Sequence, residues 1–154
     1  ISVREEAEMV KDYLELQKLR YGDSLHYVLN VAPEIQGTFI LKMVLQPLVE
    51  NSVNHGIRPK ETPGVVYVEG IEEDGYLKFT VEDDGVGMDE DKIRELNREN
   101  ISTNEKSFGL RGTIERMRIF YESDIDYTIK STKGRGTTIV LRVPVCYEGD
   151  EGHD

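Results

Sequence analysis

The stretch Val81-Glu82-Asp83-Asp84-Gly85-Val86-Gly87-Met88-Asp89 puts a carboxylate where the pattern asks for a buried side chain. Before it, Leu77, Phe79 and Val81 share one parity, and Lys78, Thr80 and Glu82 share the other. Successive side chains of a strand face opposite sides. Asp83 therefore falls on the apolar parity, where an unpaired carboxylate is costly and calls for donors. Gly85 and Gly87, without a Cβ, admit a close approach to the backbone. A buried acceptor beside a glycine platform suits a flat heterocycle with an exocyclic amine. Standing alone, such a D-x-G-x-G pattern reads more simply as an acidic turn after a strand.

It does not stand alone. Upstream lies Leu45-Gln46-Pro47-Leu48-Val49-Glu50-Asn51-Ser52-Val53-Asn54-His55-Gly56. Here Asn51 and Asn54 are i,i+3 neighbours if the segment is helical. An Asn amide oxygen is a suitable hard ligand for Mg²⁺, although two Asn on a helix are ordinarily just solvent-facing. Downstream come Ser107-Phe108-Gly109-Leu110-Arg111-Gly112 and Gly134-Arg135-Gly136-Thr137-Thr138. A glycine turn feeding a helix would offer free N–H groups and a positive dipole end to a phosphate. Lys106 and Arg111 are candidate phosphate cations, or else members of a solvated face.

In this order the four segments resemble the asparagine box and three glycine boxes of the GHKL ATP-binding superfamily, which includes gyrase, MutL and the sensor histidine kinases. The resemblance covers about residues 12–144. Within it, 12–23 (Asp-Tyr-Leu-Glu-Leu-Gln-Lys-Leu-Arg-Tyr-Gly-Asp) resembles a signature of the LytS/YesM-like sensor histidine kinases. The resemblance implies an ATP site in which Asp83 takes the adenine amino hydrogen, with Thr137 and a water beside it. Gly85 and Gly87 would floor the base, and Asn51 would hold the Mg²⁺ that bridges the phosphates. Gly109, Leu110 and Arg111 would present a helix terminus to them. It also implies transfer of the γ-phosphoryl to a histidine of a dimerisation domain, and from there to an Asp of a response regulator. None of the three histidines, His26, His55 and His153, has the sequence context of that acceptor. The acceptor is expected upstream, so the chain should bind nucleotide without phosphorylating itself.

Several positions depart from the family pattern. Pro47 stands where the water-activating members and the anti-sigma-factor kinases carry Glu, which argues against efficient hydrolysis. Asn54 replaces a frequent Lys or Arg, Ser107 the first Gly of its box, and Gly112 the usual Asn. His55 either supplies part of the missing phosphate contact or is a polar helix end before Gly56. Asn54, Ser107 and Gly112 favour the competing reading, a degenerate nucleotide-binding or docking module without kinase activity.

The elements that must position these residues follow from periodicity. Residues 2–20 read as a helix, with Val3, Ala7, Val10 and Leu14 in a stripe and Glu5, Glu6 and Glu8 near its positive end. Residues 25–31 alternate as a strand up to Ala32-Pro33. Residues 39–55 carry the helical stripe Leu41, Val44, Leu45, Leu48 and Ser52, with Pro47 predicting a kink or a late start. Residues 64–71 and 76–83 form a hairpin around Asp74-Gly75, and Asp89 is expected to cap a short helix as far as Leu96. Residues 98–108 are polar, lack periodicity and read as a loop, the ATP lid of the resembling fold. Gly109 is predicted to open a helix through Leu110, Ile114, Met117 and Tyr121. Residues 125–131 and 137–143 are the last strands. Arg142 marks the outer parity, so Thr137 points inward.

The expected architecture is α+β: a two-layer sandwich with a mixed sheet of about five strands and about three helices on one face. Residues 1–22 would be a helix leading from a missing dimerisation domain and projecting from the rest. Residues 23–145 would be the ATP-binding domain, and 146–154 a frayed acidic tail.

Bulk composition bounds the partners. In 154 residues, 38% hydrophobic and 32% charged content fits one globular domain with a core. A net charge of −11 argues against nucleic acid and against direct membrane contact. The single cysteine, Cys146, precludes an internal disulfide and fits a reducing compartment. No apolar run approaches a membrane span. The family resemblance implies that the chain is the cytoplasmic part of a longer, membrane-bound bacterial sensor kinase.

Overall fold

The computed structural model describes residues 1–88, 91, 94, 105–122 and 124–147, those of 105–109 by backbone alone. Alternating apolar residues produce five strands: β1 (Leu25–Val31), β2 (Gly64–Glu73), β3 (Tyr76–Asp83), β4 (Asp126–Thr132) and β5 (Gly136–Pro144). They form one mixed sheet in the order β1-β2-β3-β5-β4. Only the β1–β2 pair is parallel. The β2–β3 turn has both Asp74 (φ +53°) and Gly75 (φ +82°) left-handed, as a two-residue hairpin with right-twisted strands requires.

One parity of the sheet is buried: Val66 and Val68 on β2, Leu77, Phe79 and Val81 on β3, Ile139, Leu141 and Val143 on β5. Among the described residues, the other layer is supplied by α1 (Val3–Tyr21), α2 (Leu45–Asn51) and α3 (Glu105–Phe120). The α+β sandwich is thus the one expected. Leu110, Ile114 and Met117 face inward from α3.

Four expectations need correction. First, α1 does not project. Its Ser2–Glu5 capping box starts it, and Val3, Glu6, Val10 and Leu14 are buried against the fold. Second, the helix expected over 39–55 begins at Leu45. Phe39 instead bridges to Ser2 and Cys146, and Met43 is left-handed at φ +62°, which no α-helix accommodates. The late start puts Pro47 in the first turn, where its missing N–H costs no bond. Third, α3 starts at Glu105, four residues before Gly109. Glu and Lys are good helix formers, and Glu suits a helix start; one polar turn simply shows no apolar period. Fourth, Cys146 is not frayed, because its carbonyl accepts the Phe39 N–H at 2.7 Å. Asp89, Leu96, the rest of the expected lid over 98–104, and His153 lie outside the described residues.

Candidate functional site

At the C-terminal end of β3 a cluster of polar side chains replaces the apolar packing of the sheet's buried face. Asp83 is 4% exposed and Thr137, its register partner on β5, is 6% exposed. Both point toward the helices, as parity requires. The Gly85 N–H donates to Asp83 Oδ1 at 2.9 Å. Among the described residues, Asp83 Oδ2 and Ser52 Oγ are buried without a hydrogen-bond partner. Burial pushes the Asp83 carboxyl above its ordinary value, opposed by the Gly85 N–H, the neighbouring Ser52 hydroxyl and the Thr137 backbone.

Helix α2 reaches this place through an unusual device. It continues as a π turn, Ser52–Ile57, with the Arg58 N–H bonded five residues back to the Val53 carbonyl at 2.8 Å. A π turn adds a residue per turn and recurs at functional sites. It buries Ser52, Val53, Gly56 and Ile57 while Asn54 and His55 face solvent and Asn51 is half-buried. The helical turn runs past His55, so His55 does not end it. His55 makes contacts within the chain.

The glycines are packed by the chain's own backbone. A Cβ on Gly85 would sit 2.3 Å from the Gly56 carbonyl, and one on Gly56 would sit 2.5 Å from Asp83 Oδ1. At Gly87 (φ +72°) a Cβ would meet the Thr132 carbonyl at 2.1 Å. The close approach expected at Gly85 and Gly87 is therefore filled by the α2 and β4 ends. Hydrogen bonds lock the turn: Val86 N–H to the Gly56 carbonyl at 3.1 Å and Met88 N–H to Ser131 Oγ at 2.7 Å. Ser131 Oγ also lies 2.8 Å from Thr137 Oγ1.

The structure thus brings together Asp83, Gly85, Gly87, Thr137 and the helix bearing Asn51. Asn54 and His55 stand on that helix's outer side. Leu110 is a core residue, and Arg111 is 6% exposed and engaged within the chain, so it belongs to no solvated face. Gly109 lies inside α3, so its N–H falls within the helix and not at its start. Of Lys106 only the backbone is described.

Sequence reasoning missed Ser52, Ser131 and Gly56. Ser52 was readable as an odd hydroxyl in an apolar stripe. A groove of about 370 Å³ also opens on the helix-free face, lined by Tyr67, Glu82, Lys130 and Arg135 among others. Asp83 and Thr137 border it, but their side chains face the other way, so the groove lies on the opposite side of the sheet from them. Among the described residues no helix is long and apolar enough to cross a membrane, and no cluster of His, Cys, Asp or Glu forms a metal site. An Mg²⁺ held by one amide and waters needs no such cluster.

Comparison with known proteins gives a consistent picture. The family described as "Histidine kinase-, DNA gyrase B-, and HSP90-like ATPase" matches residues 38–146. The sensor histidine kinase YesM of Bacillus subtilis is 31% identical over 94% of this chain and 24% of its own length. The sensor protein LytS of Bacillus cereus is 28% identical over 94% of this chain and 25% of its own. The chain thus spans about a quarter of the length of these relatives. Among solved structures, full-length ShkA in complex with AMPPNP matches with a TM-score of 0.69 and 17% identity, over 97% of this chain and 31% of that one. The catalytic domain of histidine kinase ThkA matches at 0.65 and 12%, over 94% and 93%.

Proposed function

The chain belongs to the histidine kinase-, DNA gyrase B- and HSP90-like ATPase family, and from that premise we propose that it is the ATP-binding catalytic domain of a two-component sensor histidine kinase. The observation that carries the reading is the orphaned Oδ2 of buried Asp83. A buried acceptor without a donor is costly, and an adenine amino group supplies the missing N–H. Thr137, tied to Ser131, stands beside it to hold a ring nitrogen through water. Gly85 and Gly87, held by the chain's own backbone, keep the turn under the base thin and rigid.

Asn51, at the end of α2, would hold Mg²⁺ through its amide oxygen. Bound Mg²⁺ supplies charge neutralisation at the phosphates, which an acidic chain needs. The family pattern assigns the phosphate side to Asn54 and His55 on the same turn and to Lys106, Gly109, Leu110 and Arg111 of α3. For Gly109 to offer its amide, the first turn of α3 must unwind. Phosphoryl transfer asks the protein mainly for position and charge. The acceptor is a histidine of the kinase's own dimerisation domain, which then phosphorylates a response regulator. The setting is the cytoplasmic part of a membrane-bound sensor.

Calorimetric titration with ATP, with and without Mg²⁺, tests this. The wild-type chain should bind, and Asp83→Asn should weaken binding by roughly 30-fold, the loss of one charge-assisted hydrogen bond. Supplied with its dimerisation domain, the wild type should transfer phosphate to histidine. No binding up to millimolar ATP would make the chain a docking module instead.

A further inference from the structure

The turn before α2 is gripped from two other helices. From α1, the Glu6 carboxylate accepts four backbone N–H groups: Met43 on Oε1 at 3.1 Å, then Val44, Leu45 and Gln46 on Oε2 at 3.0, 2.9 and 3.4 Å. From α3, the Arg116 guanidinium donates to the Lys42 carbonyl at 2.9 Å and to the Met43 carbonyl. Between them sits left-handed Met43, a strained conformation that persists only where its surroundings fix it. The residue in the capping position, Val44, makes no side-chain cap. Glu6 does that work from another helix, facing the positive end of the helix dipole.

The consequence is positional. Helix α2 has seven residues, and Asn51 is the last of them. Less than two turns separate the gripped end from the amide read here as the Mg²⁺ ligand. Asp83, by contrast, is set by the sheet. Glu6 also lies outside the region over which the family matches. We propose that Glu6 is a positioning residue of the nucleotide site, with Arg116 as its counterpart: α1, through Glu6, sets the axial and rotational place of α2 and hence of Asn51. A displacement of α1 against α3 would then be felt at the phosphate end of the site and not at the base end. This rests on the reading of Asn51 given above.

Glu6→Gln, which keeps the shape but turns an NH₂ toward N–H donors, tests it in the whole chain. Three quantities are measured well below the melting point: adenosine affinity, the gain in ATP affinity on adding Mg²⁺, and the NMR signals of the Asn51 side-chain amide without nucleotide. The expected result is an Mg²⁺-dependent gain reduced about tenfold, unchanged adenosine affinity and shifted Asn51 signals. Arg116→Ala should do the same more weakly, and less than additively with Glu6→Gln; it carries the test if Glu6→Gln does not fold. A merely structural Glu6 would lower the melting temperature and leave the gain and the Asn51 signals as in wild type, which overturns the proposal. Equal loss of adenosine and Mg-ATP binding overturns it too. If wild type binds no ATP, the nucleotide reading fails separately, and the ligand-free Asn51 signals alone decide whether Glu6 positions that residue.

Discussion

Glu6 and Asp83 are both buried carboxylates in one small domain, at 1% and 4% exposure, yet they are treated oppositely. Glu6 is saturated: four N–H groups close on its two oxygens. Asp83 has one bond from the Gly85 N–H on Oδ1, and an Oδ2 that makes no hydrogen bond among the described residues. A saturated buried carboxylate is part of the frame. An unsaturated one is a cost carried by the empty fold, and such costs mark places where something else completes the bonding.

The contrast makes the two residues respond with opposite signs. Glu6→Ala should lose about 3 kcal/mol of stability, because it strands buried N–H groups; urea unfolding measures it, and a loss below about 1 kcal/mol would erase the distinction. Asp83→Asn should instead stabilise the nucleotide-free chain by about 1 kcal/mol while weakening ATP binding, as expected at a site kept strained for function. A destabilised Asp83→Asn would show that the carboxylate is better satisfied than it looks.

The pH dependence sharpens the same point. The folded-state pKa of Asp83 is raised above 3.8 by burial. The folded state therefore holds the proton more tightly, and stability is lost as pH rises from the unfolded value through the folded one. Nucleotide affinity runs the other way, since the protonated carboxyl is a poorer acceptor. ATP binding should thus fall on acidification at a pH above the ordinary aspartate value, and Asp83→Asn should lack that step. The smallest effect is expected for Ser52→Ala: stability within about 0.5 kcal/mol of wild type, because its hydroxyl lies beside Asp83 without a well-formed hydrogen bond, and a few-fold weaker adenosine binding.

Much of the frame was legible in the sequence, because strand parity is a strong signal. Alternation placed Asp83 and Thr137 inward, and Asp74-Gly75 announced the hairpin. What escaped were features that depend on distant contacts. Glu6 sits in the buried stripe of α1, but the stripe read from apolar residues alone passes through Ala7. Its role becomes visible only when the turn at Met43 folds over it. The π turn was unreadable because a projection at 100° per residue presumes the α-helical period that it breaks. Gly56 therefore looked like a helix end, when its job is to let a backbone pass over Gly85. The assignment of Asn51, Asn54, His55, Lys106 and Arg111 to phosphates still rests on the family pattern and on the tests above.

The strand order carries a kinetic consequence. Strands β2 and β3 are neighbours in the chain and joined by a tight turn, so their pairing closes a short loop and can form within microseconds. Asp83 meets Thr137 only when β5 arrives from the far end of the chain, and Gly56 must be brought onto Gly85 across the intervening hairpin. Non-local closures of this kind slow folding. The site is therefore expected to assemble late, on a sheet edge already formed. A chain emerging from the ribosome would hold its hairpin well before it could hold a nucleotide.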